Sequence, residues 1–175
     1  GLITLAAMQQ PENMCGAILV GAPGRRMGTI LRDQLKANPA NAPLLEDAMT
    51  AVDRLEAGKS VDVATMHPAL QTLFAPQVQP FLIDMMAKNP AWFAAQVSKP
   101  MLIVSGERDI QVPEVDARAL AEAQPKASLV VIPKMNHVLK DVQGPNRADN
   151  LKTYADPSLP VNSKLVEVIA GFVKG

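Results

Sequence analysis

The sequence feature that most constrains the fold is a pair of short apolar runs separated by a helical pattern. Residues 101–104 (MLIV) and 129–132 (LVVI) predict two buried strands, since short apolar runs bounded by turn residues are typical of strands covered on both faces. Between them, residues 113–123 carry apolar side chains at helical spacing and end close to a proline. A strand, a crossover helix and a second strand predict a parallel sheet in an α/β fold.

The rest of the chain divides into segments with different patterns. Residues 2–10 are apolar on nearly every side and predict a short helix buried in a core, and residues 15–24 predict a buried strand that ends in a turn. Residues 25–98 carry short helical patterns interrupted by prolines, and no comparable strand is recognisable among them. We therefore predict core segments at 1–24 and 99–175, with a helical insertion at 25–98 between them.

Composition excludes several classes of partner. The 175 residues include 17 basic and 17 acidic ones, so the formal net charge is 0, whereas nucleic-acid and anionic-membrane partners favour a basic excess. No apolar run reaches the roughly 18 residues that a membrane span needs. The two histidines and the single cysteine have unrelated spacings, and they predict neither a metal site nor a disulfide framework. No cofactor motif is recognisable.

Asp109 and His137 follow the ends of the two predicted strands. The carboxyl ends of neighbouring parallel strands lie at the same edge of a sheet, where open α/β folds place their ligands, so we expect the two side chains to meet there. A carboxylate that accepts a hydrogen bond from one ring nitrogen fixes the imidazole tautomer and leaves the other nitrogen as a base. The pair is therefore the candidate catalytic site.

Other residues in these segments have simpler interpretations. Glu107 lies early in the turn and Asp116 lies within the predicted helix, so neither is the favoured acid. His67 precedes a proline at a predicted helix start, which indicates a structural role. Cys15 heads a predicted strand and is expected to be buried as a small apolar side chain. The turn at 21–26 lacks the glycine pattern of nucleotide-binding loops.

At these residues the chain resembles the α/β-hydrolase superfamily. Residues 100–113, PMLIVSGERDIQVP, resemble the strand and loop that carry the family's catalytic acid, and residues 127–139, ASLVVIPKMNHVL, resemble its last strand and histidine loop. The resemblance implies the C-terminal part of an α/β-hydrolase fold with a helical lid at 25–98. It also implies that Asp109 is the triad acid and His137 the general base.

The family's nucleophile is not recognisable in the sequence. That nucleophile is a serine in a Gly-x-Ser-x-Gly turn between a strand and a helix, and none of the six serines here lies in such a motif. Residues 1–8, GLITLAAM, resemble the helix that follows this turn. The resemblance therefore implies that the chain begins just after the nucleophile elbow. The nucleophile, the oxyanion-hole donors and any targeting signal are then expected before Gly1.

The resemblance implies an enzyme, a serine hydrolase that acts on small-molecule carboxylic esters through an acyl-enzyme. A serine aminopeptidase, a C–C bond hydrolase or an acyltransferase on the same fold is the alternative within enzymes. The alternative from another class is a non-catalytic chain that binds another polypeptide. The expected partner is the missing N-terminal part of the same protein. The predicted lid is rich in apolar side chains and methionines, which favours a modest-sized apolar substrate.

Overall fold

The three strands of the chain form one parallel sheet, as the sequence predicts. The computed structural model describes residues 1–175. Its strands are β1 (Ala17–Val20), β2 (Met101–Gly106) and β3 (Ser128–Ile132), in the spatial order β1–β2–β3. Both strand pairs are parallel, so all three carboxyl ends lie at one edge of the sheet.

Helices make up most of the remaining regular structure. In chain order they are α1 (Leu2–Ala7), α2 (Met27–Lys36), α3 (Leu45–Glu56), α4 (Pro68–Leu73), α5 (Gln79–Ala87), α6 (Pro90–Ala95), α7 (Glu114–Ala123), α8 (Arg147–Lys152) and α9 (Ser163–Lys174). Two 3₁₀ turns, Pro39–Leu44 and Pro76–Val78, precede α3 and α5. None of these helices combines the length and the apolarity that crossing a membrane requires.

The chain divides into two compact units. The core unit comprises residues 1–24 and 90–175 and contains the sheet, and the helical unit comprises residues 25–89. The predicted insertion at 25–98 therefore runs too far at its C-terminal end. The short pattern of α6 resembles those of the preceding helices, but its apolar face packs against α1 and α7 and so belongs to the core unit.

β2 is the centre of the core unit, and all its residues are buried. Met101 and Ile103 lie in an apolar cluster with residues of α1 and α7. Leu102 and Val104 lie in a second cluster with residues of β3 and α9. Alternate side chains of a strand point to opposite faces of the sheet, so a strand buried on both faces is apolar at every position. This explains the uninterrupted apolar run at 101–104.

The N-terminal segment differs from its prediction. α1 ends at Ala7, and it is covered on one face only: Leu2 and Leu5 are buried, whereas Ile3 is 77% exposed. Leu5 lies in the apolar cluster with residues of β2 and α7, whereas the face that carries Ile3 is exposed. The prediction of a buried Cys15 is wrong, because β1 begins at Ala17 and the exposed cysteine lies in the connection before it.

The helical unit has an apolar core of its own. α3 packs against α2 and α5, and its inward face buries Ala48, Val52 and Leu55. Gly58 follows the end of α3 with a φ of 73°, a left-handed conformation that favours glycine and often terminates helices. The helix expected over 43–57 is therefore present, although its first residues form the end of a 3₁₀ turn.

Candidate active site

The carboxylate of Asp109 and the imidazole of His137 meet at the carboxyl edge of the sheet. Asp109 follows β2, His137 follows β3, and Oδ2 of the aspartate lies 2.8 Å from Nδ1 of the histidine. The aspartate side chain is 1% exposed and the histidine side chain 31%. When Nδ1 donates its proton to the carboxylate, Nε2 carries the free lone pair and is available as a base.

The turn after β2 fixes the carboxylate of Asp109. Its Oδ1 accepts hydrogen bonds from the backbone N–H groups of Gln111 at 2.9 Å and Val112 at 2.8 Å. The backbone N–H of Asp109 in turn donates to the carbonyl oxygen of Gly106 at 3.0 Å. Both carboxylate oxygens therefore have partners, and only Oδ2 faces the histidine. This accounts for the charged residues that end the apolar run of β2.

Asp109 also changes the proton affinity of His137. The hydrogen bond that the imidazole donates to the carboxylate raises the pKa of the ring above its ordinary value of 6.5, and the negative charge of Asp109 adds to the rise. Partial burial of the ring acts in the opposite direction, because it disfavours the charged form, but it does not cancel the increase. The arrangement therefore stabilises an imidazolium ion, which is the form that a general base acquires during reaction.

Backbone hydrogen bonds hold the acid loop against the histidine loop. The N–H of Glu107 donates to the carbonyl of Ile132 at 3.0 Å, and that of Arg108 donates to the carbonyl of Met135 at 2.9 Å. A Cβ atom on Gly106 would lie 2.2 Å from the Met135 oxygen, so a glycine is required for this approach. The carboxylate of Glu107 accepts from the N–H of Lys134 at 3.2 Å, which is a structural role.

β1 contributes a glycine to the same site. Gly21 follows β1 with a φ of 54°, and its N–H donates to the carbonyl of Val104 at 2.9 Å. A Cβ atom at this position would lie 3.3 Å from Oδ2 of Asp109 and 3.4 Å from Nδ1 of His137. Sequence reasoning predicted a turn here but missed the contact. The available signal was a glycine directly after a strand that ends at the ligand edge.

Comparison with known proteins decides which fold this sheet and site belong to. No family profile matches the sequence. Among solved structures, BpoC of Mycobacterium tuberculosis, named for non-heme bromoperoxidases, aligns with 98% of the chain at a TM-score of 0.50 and 17% identity. MGS-M2, an alpha/beta hydrolase enzyme from a Medee basin deep-sea metagenome library, aligns with 99% at a TM-score of 0.49 and 16% identity. The parallel sheet and the likeness to BpoC give the chain the α/β-hydrolase fold.

A curated protein is also similar in sequence. Esterase EstD of Thermotoga maritima is 24% identical over 151 residues, which cover 81% of this chain. The chain spans 35% of the length of that esterase, 63% of BpoC and 61% of MGS-M2. The similarity therefore extends over less than two thirds of each of these proteins.

The remaining candidate residues are not hydrogen-bonded to Asp109 or His137. Asp116 is fully buried and accepts a hydrogen bond from the N–H of Gly24 at 3.1 Å, so that amide is engaged within the protein. His67 caps α4, where its Nδ1 accepts from the N–H of Ala69 at 3.2 Å. His137 is not hydrogen-bonded to any of the six serines, and it is not hydrogen-bonded to Cys15.

Proposed function

We propose that this chain carries the acid and the base of a serine hydrolase that acts on carboxylic esters through an acyl-enzyme. The observation that carries the proposal is the hydrogen bond of 2.8 Å between Asp109 and His137 at the ligand edge of the sheet. The similarity to an esterase supports the substrate class. The nucleophilic serine and the oxyanion-hole donors come, in this proposal, from polypeptide that precedes Gly1.

His137 transfers protons in both halves of the reaction. Nε2 accepts the proton of the serine hydroxyl as the oxygen attacks the ester carbonyl, and the imidazolium then protonates the alcohol that leaves. Water repeats the sequence on the acyl-enzyme and releases the acid. Asp109 holds the ring in the tautomer that leaves Nε2 free, and its carboxylate stabilises the imidazolium formed in each half.

The role of the helical unit as a lid belongs to the same proposal. Several of its apolar side chains, including Leu70, Phe74 and Met86, are fully buried within the unit itself. Their first role is therefore to fold that unit. Phe81 is exposed and is not part of that apolar core.

A second candidate function is a non-catalytic chain that binds another polypeptide. The observation that favours it is the absence of a hydrogen bond between His137 and any serine or cysteine of this chain. The residue that precedes the chain at the position of the elbow separates the two candidates. A serine in a Gly-x-Ser-x-Gly turn favours the enzyme, whereas another residue there favours the binding chain.

The experiment uses the assembled protein, by which we mean this chain joined to the polypeptide that precedes it. We expect His137→Ala to lower kcat on a short-chain ester by on the order of 10⁴-fold or more, because the general base is lost. Asp109→Asn is expected to cost about 10⁴-fold through the wrong tautomer.

His67→Ala is the matched control and should leave kcat within a few-fold of the unsubstituted protein, since His67 caps a helix in the other unit. The proposal fails if His67→Ala is the more damaging change. A panel of peptide, C–C bond and acyl-acceptor substrates assayed in parallel separates the esterase from the other reactions of this fold.

A further inference from the structure

A buried bridge of two amide side chains joins the loop of His137 to the loop of Asp109. Nδ2 of Asn136 donates to Oδ1 of Asn150 at 3.0 Å, and Nδ2 of Asn150 donates to the carbonyl oxygen of Arg108 at 2.6 Å. Asn136 immediately precedes His137, and Arg108 immediately precedes Asp109. The bridge therefore connects the residue before the base with the residue before the acid.

The Asn136 side chain has one well-defined orientation. Its Oδ1 accepts from the backbone N–H of Lys140 at 3.1 Å, and its Nδ2 also donates to the hydroxyl of Thr153 at 2.6 Å. Both Asn136 and Asn150 are buried, so water does not compete for these groups. Buried amides with all their partners in place are rigid, because any rotation leaves a polar atom unpaired.

Both backbone polar groups of Arg108 are hydrogen-bonded. Its N–H donates to the carbonyl of Met135, and its carbonyl oxygen accepts from Asn150. This backbone leads directly into Asp109, so any shift of it moves the carboxylate relative to the imidazole. A displacement of about 1 Å is enough to lower the rate of a positioned reaction by roughly 10²-fold.

We propose that Asn136 and Asn150 are positioning residues, which hold the imidazole of His137 in hydrogen-bonding register with the carboxylate of Asp109. This inference rests on the proposed function, in which that pair is the acid and base of a hydrolase. Neither asparagine hydrogen-bonds to the imidazole, so both act through the backbone of the neighbouring residue. The position of the pair therefore depends on α8, which contributes Asn150, as well as on the two loops.

The test compares Asn150→Ala with Thr153→Val. Asn150→Ala removes the link to Arg108 but leaves Asn136 with the Thr153 hydroxyl as a partner. Thr153→Val removes that hydroxyl, which also donates to the Asn150 carbonyl, but leaves the bridge intact. Each variant therefore loses buried hydrogen bonds of the same cluster, and only the first one breaks the bridge. Asn150→Ser replaces the alanine variant if the latter does not fold.

Three properties are measured for each variant: the pKa of His137 by NMR of labelled histidine, kcat and KM on a short-chain ester, and unfolding in urea. The titration is run on the assembled protein, and Asp109→Asn gives the reference for complete loss of the pair. For Asn150→Ala we expect the pKa of His137 to fall towards that reference. We also expect kcat to fall by on the order of 10- to 10²-fold with KM within a few-fold.

Thr153→Val is expected to destabilise the protein while the titration of His137 stays as it is without the substitution. The inference is overturned if His137 titrates normally in Asn150→Ala, or if both variants shift it equally, since the cluster would then only stabilise the fold. Failure of the proposed function looks different: the assembled protein would hydrolyse no ester, while the titration of His137 would still respond to Asn150.

Discussion

Asp109 and His137 differ in how far water reaches them, and this difference fits the roles proposed for them. The aspartate side chain is 1% exposed, and the protein supplies all its partners, so its position is set by the fold. The histidine side chain is 31% exposed and has one free ring nitrogen. A reacting group can reach that nitrogen, while the carboxylate stays behind it. Because the acid is buried and the base is exposed, a reacting group can approach the pair only from the side of the imidazole.

The raised pKa of His137 predicts how stability and activity depend on pH. The folded protein binds the proton of His137 more tightly than the unfolded chain does, because Asp109 stabilises the imidazolium. The stabilisation is therefore fully present below the unfolded pKa of about 6.5 and disappears as the pH rises through the folded pKa. Asp109→Asn should consequently destabilise the protein more at about pH 5.5 than at about pH 9.

Urea unfolding of both proteins at the two pH values measures this difference, and NMR titration gives the pKa directly. Activity should instead increase as the pH rises through the folded pKa, because the base must be neutral. The acidic limb of the kcat/KM profile should therefore lie above pH 6.5, and it should move to lower pH in the residual activity of Asp109→Asn. A limb that stays in place in this variant would show that another group controls it.

At the scale of elements, the strand ends bring the site together. β1, β2 and β3 are parallel and neighbouring, so the residues that follow them, Gly21, Asp109 and His137, share one edge. Gly21 lies against both side chains of the pair and has a φ that other residues rarely adopt. Its missing side chain leaves room for the hydrogen bond between them.

Gly21→Ala should therefore impair the pair and not only the fold. The positive φ costs about 1–2 kcal/mol of stability for a residue with a Cβ atom, and the added methyl group would press on Oδ2 of Asp109 and Nδ1 of His137. Gly58→Ala is the matched control, because it has the same backbone cost with no atom within 4 Å of the new Cβ.

We expect the two variants to unfold at similarly reduced urea concentrations, whereas only Gly21→Ala lowers kcat on a short-chain ester and shifts the titration of His137. Equal kinetics in the two variants would show that the close approach at Gly21 has no functional consequence.

The elements that could be predicted from the sequence are those whose order of apolar and polar residues reflects how they are buried. β2 and β3 were recognised because continuous apolar runs reflect cover on both faces, and the acid and the histidine followed from where those runs end. The assignment of α6 was wrong because a six-residue helix carries too few positions to show which unit its apolar face joins. Asn150 was missed since its partners Asn136 and Arg108 are distant in sequence, and only the folded loops bring them together.

At the scale of the whole molecule, β1 has a free edge. Ala17 and Gly21 donate their N–H groups to the backbone beside them at Pro100 and Val104, so the alternating residues Ile18 and Val20 direct their backbone groups to the other side. No strand of this chain pairs there. Nearby in the sequence, α1 exposes Ile3. Unpaired strand edges and exposed apolar side chains favour association with further polypeptide.

The last prediction therefore concerns the chain alone and in the assembled protein. By itself, the chain should form soluble aggregates or higher oligomers through the edge of β1 and the exposed face of α1, and it should hydrolyse a short-chain ester no faster than its His137→Ala variant. A base without a nucleophile and oxyanion hole has no hydroxyl to activate.

The preceding polypeptide, supplied covalently or as a second chain, should produce a monodisperse species and activity together. Size-exclusion chromatography and ester hydrolysis, measured on the same fractions, test both effects. Ile3→Lys sharpens the comparison, because a charge on this exposed residue should reduce association of the chain alone yet weaken its recovery of activity with the preceding polypeptide. A monomeric chain that hydrolyses esters unaided, and loses that activity in His137→Ala, would instead place the nucleophile within residues 1–175.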